Sequence, residues 1–428
     1  MIPGPSTNKQ RALIAAVQVL GLCVWFSATA VVPSLRLEWG IDPTAAVWLT
    51  ASVQIGFVAG AVASTLLNLA DRVPPQYLLA ASAFGAAICT VVLALFATNL
   101  SAAIPLRFLT GVLLAGVYPV GMKLMASWSK PSDRGRAFGL LLGALTLGSA
   151  LPHLISGLGP LPWRAVMSMA AALTAIGAII AALLIKPGPL LDTRPITPSP
   201  RYALTMFRER GPRLANIGYF GHMWELYALW TWMSMFILAG RDQRGSEQTS
   251  TSFIAFAAIG FAGIAGCLLG GWASDRFGRS PAAVTALVIS GACCVLSPLF
   301  FTAPTGTLLA FLLVWGAAVI ADSGVFSTSL SETADSRFIG TALTAQTAIG
   351  FLLTVVTIQL VPVVAEFSSW RYAFLLLAPG PILGAVAMAS LNARSNPNTN
   401  FQEDFHDHSL DSSHPGRRPD RGAFPHRR

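Results

Sequence analysis

The chain has 428 residues, of which 54% are apolar and only 11% charged, and its mean hydropathy is +0.62. Soluble domains carry about 25% charged residues, so this composition excludes a water-soluble globule. The net charge of +9 reads as Lys and Arg held in loops and an Arg-rich tail, not as a nucleic-acid surface.

Runs of about 20 apolar residues match the hydrocarbon thickness of a bilayer. Lipid offers the backbone no hydrogen-bond partner, so each run predicts a helix. Taken in order, they fall at 12–33, 44–67, 77–98, 100–127, 137–158 and 164–185. The first is too long for a signal-peptide core and lacks a cleavage site, which makes it an uncleaved span. A polar stretch rich in Pro and Arg follows from Lys186 to Arg213. Six more runs lie at 214–239, 252–272, 282–303, 306–330, 339–364 and 371–391. Nothing strongly polar separates spans three and four, or nine and ten. Beyond Asn392 the composition is that of a disordered tail, with four of the six histidines. Lying on anionic lipid explains this basic tail better than binding a metal. Cys23, Cys89, Cys267, Cys293 and Cys294 all sit inside apolar runs without metal-ligand spacing and read as small core residues.

An even number of spans puts both termini on one side. Before the tail, sixteen Lys and Arg fall in the loops of that side, against five (Arg36, Arg164, Arg241, Arg244 and Arg371) on the other. The asymmetry makes the termini cytoplasmic in a multi-pass inner-membrane protein.

Three short motifs recur in order. Ala70-Asp71-Arg72 returns as Ser274-Asp275-Arg276, Asp133-Arg134-Gly135 as Asp335-Ser336-Arg337, and Trp163-Arg164 as Trp370-Arg371, at offsets of 204, 202 and 207 residues. Each pair lies after span two, before span five or before span six of its half. Two parallel halves with a site between them are a transporter plan.

At these motifs the chain resembles a member of the major facilitator superfamily, over about residues 11–391. The family signature G-x-x-x-D-R-x-G-R is met by Gly271, Asp275, Arg276, Gly278 and Arg279, with Ser280 where the family prefers a base. The first-half copy keeps Asp71 and Arg72, but Leu67, Pro74 and Pro75 replace its glycines and arginine. Arg107 and Gly111 match a second signature in span four, whereas the Gly-Pro antiporter motif of span five is not met cleanly. The resemblance implies an all-α integral membrane protein with 12 transmembrane helices in two pseudo-symmetric six-helix bundles. The corresponding organisation is a cytoplasmic N-terminus (1–11), a first bundle (12–185), a cytoplasmic linker (186–213), a second bundle (214–391) and a disordered cytoplasmic tail (392–428). It also implies that the span 8–9 charges latch one gate state. Read on its residues alone, that loop needs less. Gly271 allows close helix approach, Asp275 caps the following helix, and the arginines favour anionic lipid.

Ionisable groups at membrane depth are costly and mark function. Glu225 lies about 12 residues, roughly 17 Å, into span seven, near the midplane, with His222 three residues earlier. A poor dielectric disfavours a charged carboxylate, so Glu225 suits proton coupling or solute binding. The alternative is a neutral Glu bonded to a neighbouring helix. Arg107, roughly 10 Å deep in span four, has three readings: pairing with an acid, contacting an anionic solute, or snorkelling. Asp322, near the inner end of span ten, is balanced between function and hydration. Lys123 reads as snorkelling to the inner interface and His153 as a satisfied polar residue. Trp25, Trp224 and Tyr227 are candidate cavity aromatics, against plain core packing.

No Walker loop, H-E-x-x-H or G-x-S-x-G is present, so the sequence implies no enzyme, cofactor or metal, and an ion gradient as the energy source. The expected function is proton-coupled transport of a small solute by alternating access, with a lean to uptake of a small anion or organic acid. The expected partners are the solute, protons and membrane lipid, with no nucleic acid, for a chain acting as a monomer. A drug/proton antiporter is the first alternative. A non-transporting scaffold or sensor is the second.

Overall fold

A computed structural model describes residues 6–67, 69–130, 133–159, 161–191, 200–245, 251–335 and 338–392. Among them every regular element is helical. Ten helical segments are long and apolar enough to cross a membrane, and they coincide with predicted spans two to six and eight to twelve. The remaining two spans differ in build. The first is broken into α1 (Thr7–Gly21), α2 (Ser27–Ala30) and α3 (Val32–Trp39). The seventh, α13 (Arg210–Arg244), is one 35-residue helix carrying buried Asn216, His222 and Glu225. It overruns its predicted end, and Gly245 terminates it with φ +63, a conformation glycine adopts without strain.

The break in the first span has a visible cause. Over residues 22–27 the backbone bonds shorten to three-residue turns, as in Trp25 N–H to the Leu22 carbonyl at 3.0 Å. The carbonyls of Val24 and Trp25 accept from Arg107, and that of Val24 also from the Ser27 N–H and hydroxyl. A backbone carbonyl freed in the membrane needs such a donor.

The rest of the first half comprises α4 (Pro43–Ala46), α5 (Trp48–Leu66), α6 (Leu69–Arg72), α7 (Pro75–Phe96), α8 (Leu100–Leu114), α9 (Tyr118–Ser127), α10 (Arg134–Gly157) and α11 (Trp163–Leu184). Asn99 separates spans three and four by capping α8, its side chain accepting from Ala102 N at 2.9 Å. In the second half, α12 (Pro200–Thr205) precedes α13. Then come α14 (Thr251–Phe256), a π turn through Phe261, α15 (Ala262–Phe277), α16 (Arg279–Phe300), α17 (Thr305–Ala321), α18 (Ser323–Thr333), α19 (Ile339–Phe367), α20 (Trp370–Ala373) and α21 (Pro379–Asn392).

Helix pairing repeats between the halves. In the first, α5 packs on α8 and α7 on α11; in the second, α15 packs on α17 and α16 on α21. Close approach explains two of the glycines. A Cβ on Gly111 would collide with the Val53 carbonyl of α5, and one on Gly270 with the Ala321 carbonyl of α17. The repeated Trp-Arg pair also keeps one job. Arg164 reaches the Ala97 carbonyl just past α7, at 3.5 Å, and Arg371 the Pro298 carbonyl near the end of α16, at 3.0 Å. Both serve carbonyls that a helix end leaves open. Arg164 also pairs with Glu38 at 2.8 Å, and the Trp163 indole donates to the same carboxylate. These two hydrogen bonds, Trp163 first, hold the Glu38 carboxyl below its ordinary range.

The halves meet along α5 against α19 and along α10 against α14 and α15.

Candidate functional site

Between the halves lies a cavity of about 490 Å³. Its closed end is aromatic. Tyr227 of α13 sits 6.0 Å from Trp25, 5.9 Å from Phe26 and 5.1 Å from Phe351 of α19, and Phe351 is 4.5 Å from Phe57. Rings from both halves thus form one cluster, and Tyr227 and Phe351 are its cavity face. From there the cavity runs past Tyr118, Lys123 and Tyr219 toward Thr65 and Gly340, near the ends of α5, α9 and α18 and the start of α19. That is the side on which α1 begins. On the other side, Thr29 and Thr50 of the first half and Thr231 and Trp232 of the second line a small pocket of about 10 Å³.

The wall holds no carboxylate among the described residues. Its basic groups are the Lys123 ammonium and His222. Lys123, expected at the inner interface, therefore faces the cavity. His222 is 3% exposed and links two elements. Its Nδ1 is 2.9 Å from Asp322 Oδ1, and its Nε2 is 3.0 Å from the Ser323 hydroxyl. Asp322 sits at the junction where α17 ends and α18 begins, 2% exposed and behind His222 as seen from the cavity.

Glu225 departs from expectation. Its carboxylate does not line the cavity but lies 1% exposed inside the second half. Oε1 accepts from Ser290 Oγ at 2.6 Å, Trp315 Nε1 at 2.6 Å and Cys294 Sγ at 3.3 Å. These partners belong to α16 and α17, so the bonded structural Glu is what the geometry realises. The reason is rotational. Three residues along a helix turn the side chain about 300°, leaving His222 and Glu225 about 60° apart. The cavity edge falls between them.

Arg107 is fully buried and has no acid partner among the described residues. It donates to the carbonyls of Leu49 at 3.1 Å, Val24 at 3.0 Å and Trp25, and approaches Ser27 Oγ at 3.4 Å. It braces the break in the first span and lies off the cavity wall. Trp25 stands behind Tyr227 in the aromatic cluster. Trp224 turns away, its indole donating to the Leu376 carbonyl at 2.9 Å. Of the three aromatics expected in the cavity, only Tyr227 lines it. Tyr118, Tyr219 and Phe351 do so without any signal in the sequence to separate them from core aromatics.

The signature loop also differs from its local reading. Asp275 ends α15 and does not cap α16; the N-cap there is Gly278 at φ +93, with no side-chain bond. The Asp275 carboxylate instead lies against Gly135 in the first turn of α10, in the other half, where the helix dipole favours an anion. Gly271 packs near the Gly135 carbonyl, Arg279 pairs with Glu332 of α18, and Arg276 is exposed. In the first-half copy Arg72 is exposed, and the Asp71 side chain lies outside what is described.

The chain matches the model of the Major Facilitator Superfamily over residues 14–358, and again over 215–419. The chain belongs to the major facilitator superfamily. Its fold is therefore that of an all-α integral membrane protein with multiple spanning helices. Its role in the cell is transport and not enzymatic catalysis. Two solved superfamily structures have the same fold. A single-residue variant of the Escherichia coli fucose:proton symporter FucP superposes with a TM-score of 0.65 at 13% identity, covering 90% of this chain and 99% of that one. The proton:xylose symporter XylE bound to 6-bromo-6-deoxy-D-glucose superposes with a TM-score of 0.68 at 15% identity, covering 90% and 96%.

Among relatives in sequence, the putative niacin/nicotinamide transporter NiaP of Bacillus subtilis (strain 168) is 32% identical over 126 residues, 29% of this chain. The match spans 31% of that protein's length. The niacin transporter NiaP of Acinetobacter baylyi is 23% identical over 320 residues, 67% of this chain and 70% of that protein.

Proposed function

We propose that this superfamily transporter takes up a small aromatic monocarboxylate of the niacin type, together with protons, across the cytoplasmic membrane. Residues 12–185 and 214–391 are the two bundles that rock about the central cavity, joined by the 186–213 linker, with both termini in the cytoplasm. The cavity is then open to the cytoplasm, and the aromatic cluster around Tyr227 closes the outer side.

The observation that carries this reading is the sign and texture of the cavity wall. It presents aromatic rings, the Lys123 ammonium and no carboxylate among the described residues. Such a wall accommodates a flat ring and attracts one negative charge. Its described residues offer no carboxylate to neutralise a lipophilic cation, so drug efflux loses the acid that motivated it. A volume of about 490 Å³ lies in the ordinary range for small-ligand sites. The names of the Bacillus and Acinetobacter relatives point to the same solute class.

Purified protein in liposomes, acidic outside, is expected to accumulate labelled nicotinate. Benzoate should compete well and uncharged nicotinamide weakly. A charge-assisted hydrogen bond contributes about 1.5–3 kcal/mol, so Lys123→Met should raise the half-saturating nicotinate concentration by about tenfold or more. Transport of tetraphenylphosphonium with no nicotinate uptake would sink this reading.

A further inference from the structure

The anionic-solute reading leaves open where the accompanying proton binds, and Glu225 is sealed away from the cavity. We infer that the His222–Asp322 pair, bridged to Ser323 across the α17–α18 break, is the proton site, and that its charge decides whether an anionic solute can bind. The inference rests on the proposed function for its solute, though not for the site.

Three observations carry it. His222 lies on the cavity wall while Asp322 lies behind it, so a proton from cavity water reaches the carboxylate through the imidazole. Among the described residues Asp322 Oδ1 accepts no hydrogen bond, and the imidazole Nδ1 stands 2.9 Å from it as its ion-pair partner. And the imidazole touches both sides of a helix junction, Asp322 closing α17 and Ser323 opening α18.

The charge balance follows. Without the added proton, Nδ1–H faces a carboxylate, Nε2 accepts from the Ser323 hydroxyl, and the pair carries one negative charge. With the proton, the pair is neutral, and Nε2–H donates to Ser323 Oγ, whose own hydrogen must turn elsewhere. A solute carboxylate entering the same cavity is repelled by the first state and tolerated by the second. Proton and anion therefore favour each other's binding, and by linkage the effect is mutual. One proton and one monocarboxylate cross together with no net charge.

Among the described residues the other ionisable groups facing the pair are few. They are Glu225 a turn further along α13, Cys267 on α15, Tyr219 on α13, and Tyr118 and Lys123 across the cavity on α9. Near the pair, α19 and α21 bring none.

The test uses the full chain in liposomes. With one proton per solute, a pH gradient of one unit sustains about tenfold accumulation. Wild type should approach this. Asp322→Asn should fall to no accumulation yet still exchange labelled for unlabelled nicotinate across an equilibrated membrane. Accumulation by Asp322→Asn at the wild-type level overturns the inference. Should wild type move no nicotinate in either assay, the proposed solute is wrong. An infrared difference spectrum of the solute-free protein between pH 8 and pH 5 then decides the site alone. Imidazole and carboxyl bands that vanish in both Asp322→Asn and His222→Gln support it, and a spectrum unchanged in both variants overturns it.

Discussion

Replacing Glu225 by glutamine should leave transport coupled, and replacing it by leucine should leave a less stable protein. Both expectations come from one geometry. Oε1 collects the Ser290 hydroxyl and Trp315 indole at 2.6 Å each and the Cys294 thiol at 3.3 Å. Glutamine presents an acceptor oxygen in the same place. Leucine has similar volume but no acceptor, and orphans two strong donors and one weak one. A buried donor left without a partner costs about 1–3 kcal/mol, so the three together amount to about 4 kcal/mol. For a unit of about 150–250 residues, each kcal/mol shifts the thermal midpoint by about 2–4 °C. The second half is of that size, and Glu225→Leu should melt about 8 °C or more below wild type in detergent. Glu225→Gln should stay within about 3 °C, equivalent to roughly 1 kcal/mol. Scanning fluorimetry on the thiols or tryptophans reads the first quantity. Accumulation of nicotinate under a pH gradient reads the second. A Glu225→Gln protein that folds and exchanges solute but no longer accumulates it would refute the reasoning, because the carboxyl would then carry the proton after all.

Further consequences follow from the packing. Arg107→Lys replaces a planar fork by a point charge that cannot serve the carbonyls of Leu49, Val24 and Trp25 together; losing one such bond, worth about 1.5–3 kcal/mol, should lower the thermal midpoint by several degrees. The solute affinity of the folded fraction, read by ligand-induced stabilisation, should not move. Gly270→Ala drives a Cβ into the Ala321 backbone carbonyl, which has no rotamer to retreat into, and a destabilisation of about 1–3 kcal/mol is expected, seen as a lower yield of monodisperse protein and a lower midpoint. At Glu38 the folded carboxyl titrates below its ordinary range, held there by the Trp163 indole and then Arg164. Its contribution is complete above the unfolded value of about 4.3 and disappears as the pH falls through the folded value. Glu38→Gln should therefore flatten the acid limb of the stability–pH profile while lowering the plateau at neutral pH; an unchanged acid limb contradicts the assignment.

Several features of the site were legible and several were not. His222, Asp322 and Tyr227 stood out from the sequence, as polar or amphipathic groups at membrane depth. That His222 and Asp322 would pair was not legible, since they lie 100 residues apart in different spans. Glu225 drew attention for the same reason as His222, yet it faces α16 and α17. Arg107 looked like a solute or acid ligand because charge in lipid is costly. Its cost is met instead by backbone carbonyls that become available only where the first span unwinds, and an apolar run of ordinary length gives no warning of that. From the sequence Lys123 reads as interfacial, because its distance from the helix end permits snorkelling; only the neighbouring half turns that stretch of α9 into a cavity wall.

Hydropathy, the one-sided distribution of Lys and Arg, and the doubled motifs are properties of order along the chain. They specify membrane spans, a transporter fold and its internal repeat without reference to any neighbour. Which flank of each span meets water, solute, lipid or another helix depends on how the helices are rotated and docked. One residue turns a helix by about 100°, so that choice was left to the tertiary structure.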